Sequence, residues 1–392
     1  MNLKHTNPRT APVRRKSQYK TVLAIGVVPP PVSGSSVAFN SVLNAIRSAN
    51  VRLAVVTLKT STARDPSLLS KTTARLSFAA LGAIQVARRP HVVYFNVGVS
   101  TPSWLADLPV LLAALVCRVP IVGHVHSGAF ANWSATRWPG RLIRASYRSV
   151  AALLVLGEEQ QRAASSVMPH ARVYAVDNGV EAPCDPIEDD VWISTAASSP
   201  RILYVSSLMR SKGYLEVVRA VYLLRLAGTD VTGEICGSFA PDFAEADFDE
   251  LQSRQEFLDL LATGEQGVVQ YVGPVSGREK QAAFAAATFL VLPSTYRNEG
   301  LPLCVLEAMG AGVIPITTAI GSLAELAHRH PETLIVTAAD SAAIASAIRN
   351  VLTDPAELLE RRRRCRELFI ARFTSERFTS TTLAHILKAA RA

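Results

Sequence analysis

The chain has 392 residues, 49% of them hydrophobic and 19% charged, enough apolar content for two ordinary cores rather than one. No uninterrupted apolar run is long enough for a membrane-spanning helix; the nearest, residues 104–122, is broken by Asp107, Pro109, Arg118 and Pro120. Five scattered cysteines without a C-x-x-C pair argue against a zinc cluster and a disulfide framework, and fit a reducing cytoplasm.

Net charge is +9, unevenly spread. Residues 1–180 hold 21 Lys/Arg against 5 Asp/Glu, a net +16, and the remainder 20 against 27, a net −7. A cationic first half suits an anionic partner: a phospholipid surface, a pyrophosphate-linked molecule or nucleic acid. Compositional bias in an Arg- and Ala-rich chain explains it equally well.

In chain order, residues 1–20 form a basic, proline-punctuated tail that reads as disordered, without the apolar core of a signal peptide. Short β-branched runs then alternate with Ala/Leu-rich helical stretches. The strands of a first set are expected at 21–28, 53–58, 91–95, 120–126, 151–156 and 172–176. Residues 181–200, with several acids and three prolines, read as an interdomain linker. A second set follows at 201–206, 231–236, 268–272, 288–292, 313–317 and 333–336, then helices at 340–350, 355–373 and 375–390. The four arginines 361–364 read as a solvated helix face. Two strand-helix series imply an α/β fold of two Rossmann-like, doubly wound domains, 21–180 and 201–375. In such sheets ligands sit beyond the carboxyl ends of the strands.

The chemistry-bearing residues follow those strand ends. After the first strand, Gly34 and Ser35 in Ser33-Gly34-Ser35-Ser36 offer backbone donors to a phosphate, although a serine-capped turn accounts for them as well. His124 and His126 alternate at the end of the fourth strand and share a sheet face; with no third ligand nearby, a metal pair is rejected. After the seventh strand comes Ser207-Leu208-Met209-Arg210-Ser211-Lys212-Gly213, where Lys212 can neutralise a diphosphate leaving group. Gly237 and Gly273, each after a strand, suit backbone contacts to a nucleobase. The run Asn298-Glu299-Gly300-Leu301-Pro302-Leu303, continuing to Glu307, combines most. Gly300 permits close backbone approach, Pro302 suits the first turn of a helix, and N–H groups around Leu301 and Leu303 can hold phosphate oxygens. Glu307, on that helix, can accept two hydrogen bonds from a ribose diol. Glu299 precedes it, nearer the transferred sugar. Two isolated glutamates at this spacing are more often a helix cap and a surface charge.

These two are not isolated. The chain continues Ala308-Met309-Gly310-Ala311-Gly312-Val313-Ile314-Pro315-Ile316 and then Gly321-Ser322-Leu323-Ala324-Glu325. From 204 to 325 it resembles the family-4 retaining glycosyltransferases of the GT-B fold. The resemblance implies a cleft between the two domains and a final helix, 376–392, returning to the first. It implies that Glu299 contacts donor-sugar hydroxyls, that Glu307 contacts the ribose, and that His126 is the cleft histidine near the donor sugar, with a positioning or proton-handling role; Glu299, His126 and Lys212 are the catalytic candidates. It also implies that no metal or other cofactor is required, a nucleotide-diphosphate sugar being the substrate. Asn178-Gly179 resembles an architectural turn of the family. Three departures stand out: Ser207 where an arginine usually shares the diphosphate, leaving Lys212 or Arg210 to compensate; Ser322 for a second glycine; and a single Gly34 for paired glycines.

The expected activity is retaining transfer of a sugar to a glycan, lipid-linked or not, in polysaccharide or cell-envelope synthesis. The place is the cytoplasm or the inner face of the plasma membrane. The alternatives are a disaccharide-phosphate synthase, a catalytically silent nucleotide-sugar binder and, last, a nucleic-acid binder.

Overall fold

The computed structural model describes residues 20–30, 32–58, 68–128, 130–135, 140–242 and 250–391. The expected disordered tail lies, Lys20 apart, outside them.

Among the described residues, twelve strands form two six-stranded parallel sheets. The first contains β1 (Thr21–Gly26), β2 (Arg52–Thr57), β3 (Val92–Asn96), β4 (Ile121–His124), β5 (Val150–Val155) and β6 (Arg172–Ala175), in the order β2-β1-β3-β4-β5-β6. The second contains β7 (Arg201–Val205), β8 (Thr232–Cys236), β9 (Val269–Gly273), β10 (Phe289–Leu292), β11 (Ile314–Thr317) and β12 (Ile335–Val336), in the order β12-β11-β10-β7-β8-β9. The strand direction of winding reverses between β1 and β3 in one sheet and between β7 and β10 in the other. Crevices open at such reversals because the helices on either side diverge to opposite faces.

Alternation along β3 shows how each strand is covered twice. Val92 and Tyr94 join the core under helices Gly34–Ser48 and Ser375–Ala389, through Phe39, Val42, Phe378 and Ile386. Val93 and Phe95 join the core on the other face, under helices Leu68–Ala87 and Thr101–Cys117, through Phe78, Val86, Val110 and Leu111. The second sheet is enclosed in one continuous core from Leu156 to Phe373.

The chain crosses between the domains twice, side by side. Val180 N–H donates to the Phe373 carbonyl at 2.9 Å and Ser375 N–H to the Val180 carbonyl at 2.9 Å. Only a glycine fits beside them: a Cβ on Gly179 would stand 2.4 Å from the Thr374 carbonyl oxygen. The second crossing returns the helix Ser375–Ala389 to the first sheet, where it packs on the helix Gly34–Ser48 and on β3, β4 and β5.

Two sequence expectations are corrected here. Residues 181–200 are not all linker, because Asp189–Ser198 is a helix with Trp192 buried. Nor is 361–364 a wholly solvated face. Arg362 is buried; it donates to the carbonyls of Ile187 at 2.6 Å and Gly312 at 3.2 Å, pairs with Asp189, and lies 4.8 Å from the Trp192 ring centre. Its fixed donor fork fastens the linker helix to the second domain.

Candidate active site

The reversal point of the second sheet brings Lys212 and Glu299 together. Lys212 ends a single helical turn after β7, and Glu299 lies in the loop after neighbouring β10. Lys212 Nζ stands 3.3 Å from Glu299 Oε2 and 3.5 Å from Oε1, and Ser294 Oγ donates to Oε2 at 3.0 Å. Both charged side chains are largely buried, 15% and 8% exposed. The two loops are in backbone contact: Thr295 N–H donates to the Ser211 carbonyl at 2.6 Å. A Cβ on Gly213, at φ 75°, would lie 2.8 Å from the Pro293 carbonyl oxygen. Breaking such a buried pair by removing one partner costs about 3–5 kcal/mol. The Tyr296 ring centre lies 5.7 Å from the Lys212 ammonium.

Beyond Glu299 the chain turns into the helix Leu303–Ala311. Pro302 occupies the cap position, one residue earlier than expected, and no side chain caps this helix. Its first amides are therefore left for an anion. Leu303 is met from the other domain by Gly34, whose Cβ would lie 3.7 Å from Leu303 Cγ. Gly34 itself opens the helix Gly34–Ser48, capped by Ser33, with Ser35 in its first turn. Two helix N-termini, one per domain, thus converge beside Lys212's loop. Leu301 is buried, and its carbonyl accepts from Asn178 Nδ2 at 3.0 Å.

Gly300 marks a close approach between the domains: a Cβ there would stand 2.6 Å from the His126 carbonyl oxygen. His126 Nδ1 lies 3.3 Å from Asn178 Oδ1, so Asn178 ties His126 to the Leu301 backbone. His126 Nε2 is buried with no protein partner among the described residues. Burial drives the ring down to about 4, against the Asn178 hydrogen bond, and keeps it neutral at physiological pH. His124, whose ring centre is 4.1 Å away, bonds the Tyr94 hydroxyl at 2.9 Å and is wholly buried. No group of three or more His, Cys, Asp or Glu side chains able to hold a metal occurs among the described residues.

Glu307 lies one turn along the helix, paired with Lys280 at 2.6 Å. Burial raises its pKa, and Lys280 opposes the rise. Sequence reasoning missed Lys280, although it stands one turn into the helix after β9, a position comparable to that of Lys212 after β7. Gly237 and Gly273 end β8 and β9 side by side, with Gly237 N–H donating to the Gly273 carbonyl at 2.9 Å. A Cβ on Gly237, at φ 153°, would meet the Ser206 carbonyl oxygen at 1.9 Å, whereas Gly273 faces open space.

Arg210 is not brought to these acids. Its guanidinium pairs with both oxygens of Glu256, at 2.7 and 3.2 Å, and Glu256 also holds Arg219. A two-pronged pair fixes the arginine there and keeps it from filling the missing position. Ser207 is exposed, and its carbonyl accepts from the Tyr204 hydroxyl at 3.0 Å.

A cavity of about 410 Å³ adjoins the site on the first domain's side, lined by Asn96, Asp107, His126, Tyr296 and Asn298 among others. Next to it runs a set of bonds from Glu325, whose carboxylate caps a first-domain helix. It accepts from the Glu158 and Glu159 amides at 3.2 and 3.1 Å, at a helix whose cap residue is Gly157. Arg329 clasps the Glu158 side chain, and Gln160 Nε2 donates to Ser322 Oγ at 3.0 Å. Ser322 N–H in turn donates to the Gly300 carbonyl at 3.2 Å, linking this latch to the loop that carries Glu299.

Residues 188–368 match the family described as Glycosyl transferases group 1. Glycogen synthase from Mycobacterium tuberculosis is 27% identical over 318 residues, covering 77% of this chain and 70% of its own. The GDP-mannose:cellobiosyl-diphosphopolyprenol alpha-mannosyltransferase of Xanthomonas campestris is 24% identical over 258 residues, covering 65% and 64%. Among solved structures, Anabaena HepE in complex with UDP and glucose superposes with a TM-score of 0.66 at 15% identity, over 95% of this chain and 100% of that one. The sucrose-phosphate synthase of Thermosynechococcus elongatus gives 0.68 at 18% identity, over 95% and 100%. The architecture is the GT-B fold. With residues 188–368 matching the group 1 glycosyltransferase family, the protein is a glycosyltransferase.

Two outcomes follow from the site. Glu325→Ala removes two charge-assisted bonds across the cleft, worth about 1.5–3 kcal/mol each. Its donor KM should rise and its radius of gyration by small-angle scattering should increase; a variant as compact as the parent contradicts the latch. The unfolded chain protonates His126 near 6.5 and the folded chain only near 4. This contribution to stability is intact above pH 6.5 and is lost as pH falls toward 4. His126→Gln should flatten the decline of the thermal midpoint across that window, with His124 retaining part of it; an unchanged slope would refute the assignment.

Proposed function

We propose that this enzyme moves a sugar, with retention of anomeric configuration, from a nucleotide diphosphate to a glycan hydroxyl. The observation that carries the reading is the convergence of two helix N-termini, Gly34 and Leu303, beside the buried Lys212–Glu299 pair. The helix amides and Lys212 neutralise the diphosphate as charge develops on the leaving group, without need of a metal. Gly273 leaves the end of β9 open to the base, and Glu307 takes the ribose with its second oxygen. Glu299, held by Ser294 and Lys212, accepts from the donor sugar's hydroxyls.

His126 stays neutral and turns Nε2 to the transferred sugar as a positioning group. Among the described residues no carboxylate other than Glu299 pairs with Lys212, and none is assigned to form a glycosyl-enzyme. The donor's own phosphate oxygen then takes the proton of the incoming hydroxyl on the same face. The acceptor occupies the cavity between Asn96, Asp107 and Tyr296. Similarity to a transferase whose name specifies a diphosphopolyprenol-linked acceptor supports a lipid-linked glycan as the acceptor. That chemistry belongs to polysaccharide or cell-envelope synthesis on the cytoplasmic side of a membrane. No helix among the described residues is long and apolar enough to cross one, so association would be peripheral.

The test is calorimetric titration with uridine, guanosine and adenosine diphosphate sugars, coupled to turnover with a glycan acceptor panel. One base should bind. Lys212→Ala and Glu307→Ala should each weaken that binding about 10- to 100-fold, the loss of one charge-assisted bond. Glu299→Ala should lower turnover about 100-fold with little change in donor affinity. Absence of binding to every diphosphate sugar would overturn the reading.

A further inference from the structure

Helix Thr101–Cys117 carries one charged side chain, Asp107, and it is buried. Its opposite face is apolar and exposed: Leu105, Leu112 and Val116, at i, i+7 and i+11, form one stripe, with Val116 81% exposed. The neighbouring helix Leu68–Ala87 packs against it so closely that a Cβ on Gly82 would lie 2.6 Å from Val110 Cγ2. That helix adds exposed Leu76, Leu81 and Ile84 on its own outer side. Leu142, from the segment flanking the first helix, is exposed as well. These exposed apolar side chains stand on three elements that pack on one another, and exposed apolar groups gathered in this way are a mark of an interaction site.

Charge surrounds this surface with one sign. Residues 68–150 contain nine Lys/Arg and a single acid, the buried Asp107. Arg88 and Arg89 follow the end of one helix, Arg118 the end of the other, and Arg141 and Arg148 flank Leu142; all five are exposed. A second copy of the chain would bring arginines against arginines across a two-fold axis. Anionic headgroups meet the same arginines favourably while the leucines enter the acyl boundary.

We propose that the outer face of helices Leu68–Ala87 and Thr101–Cys117 docks on an anionic phospholipid surface. The same two helices wall the cavity beside His126, through Arg75 and Phe78 from one and Ser103 and Asp107 from the other. Docking brings that cavity to the headgroup layer, where a lipid-carried glycan is presented; this last step rests on the acceptor reading given above, the docking itself does not.

Co-sedimentation of the full chain with phosphatidylcholine vesicles, with and without phosphatidylglycerol, tests the docking in the absence of donor and acceptor. The chain should pellet with phosphatidylglycerol vesicles, less so as salt rises, and poorly with phosphatidylcholine alone. Leu112→Glu combined with Val116→Glu should abolish pelleting, and Arg88→Gln or Arg141→Gln should each lower partitioning about fivefold. Calorimetric donor affinity should be unchanged in all three variants, which establishes that they fold and separates this surface from the active site. Pelleting that survives the double glutamate variant overturns the proposal. So does a chain that ignores both vesicles, including one that runs as a dimer split by Leu112→Glu.

Discussion

A buried ammonium and a buried carboxylate 3.3 Å apart, Lys212 and Glu299, set the terms for the cleft. Either charge alone would be costly there, and together they neutralise each other. Their pairing requires β7 and β10 to be neighbours, which the reversal of strand order provides. It also requires the loop before Glu299 to touch the loop before Lys212, which Thr295 and Gly213 secure. When a diphosphate enters, Lys212 can turn part of its donor capacity from Glu299 to phosphate. Glu299 is thereby released to accept from the sugar. The same pair that stabilises the empty site is thus placed to respond to a filled one.

The opposing domain contributes by contact rather than by charge. Gly300 lies against the His126 backbone, Asn178 bridges His126 to Leu301, and Gly34 meets Leu303. Glu325 and Arg329 hold this approach from the second domain, using a helix N-terminus of the first as their anchor. Because Ser322 bonds Gly300, opening the latch would disturb the residue next to Glu299. The contacts between the domains and the loop that carries Glu299 are therefore joined by a backbone hydrogen bond.

Much of the fold was legible in the sequence because both sheets are parallel and covered on both faces. Their strands read as continuous apolar runs, and every one of the twelve fell within a few residues of its expected place. The edge strand β12 is shorter than expected, two residues at Ile335–Val336, which pair with Ile316 and Thr317 of β11. The helix Asp189–Ser198 was invisible because its small residues carry little periodicity; it is held by Trp192 and Arg362 from a distant helix. Arg210 could not be assigned from spacing, because its partner Glu256 lies 46 positions away on another helix. Glu325 was legible as part of a motif, but its partners are 166 and 167 residues earlier. Lys280 was overlooked beside the more conspicuous Gly273, although the rule that chemistry follows strand ends applies to it equally.

The central claim is that a nucleotide's diphosphate docks where the helices beginning at Gly34 and Leu303 meet, within reach of Lys212. A crystal structure of the chain soaked with its preferred nucleoside diphosphate tests it directly. The account predicts phosphate density against the amides of the Leu303 turn, with Lys212 Nζ within hydrogen-bonding distance and the ribose at Glu307. Phosphates bound elsewhere, with the Lys212–Glu299 pair undisturbed, would contradict it.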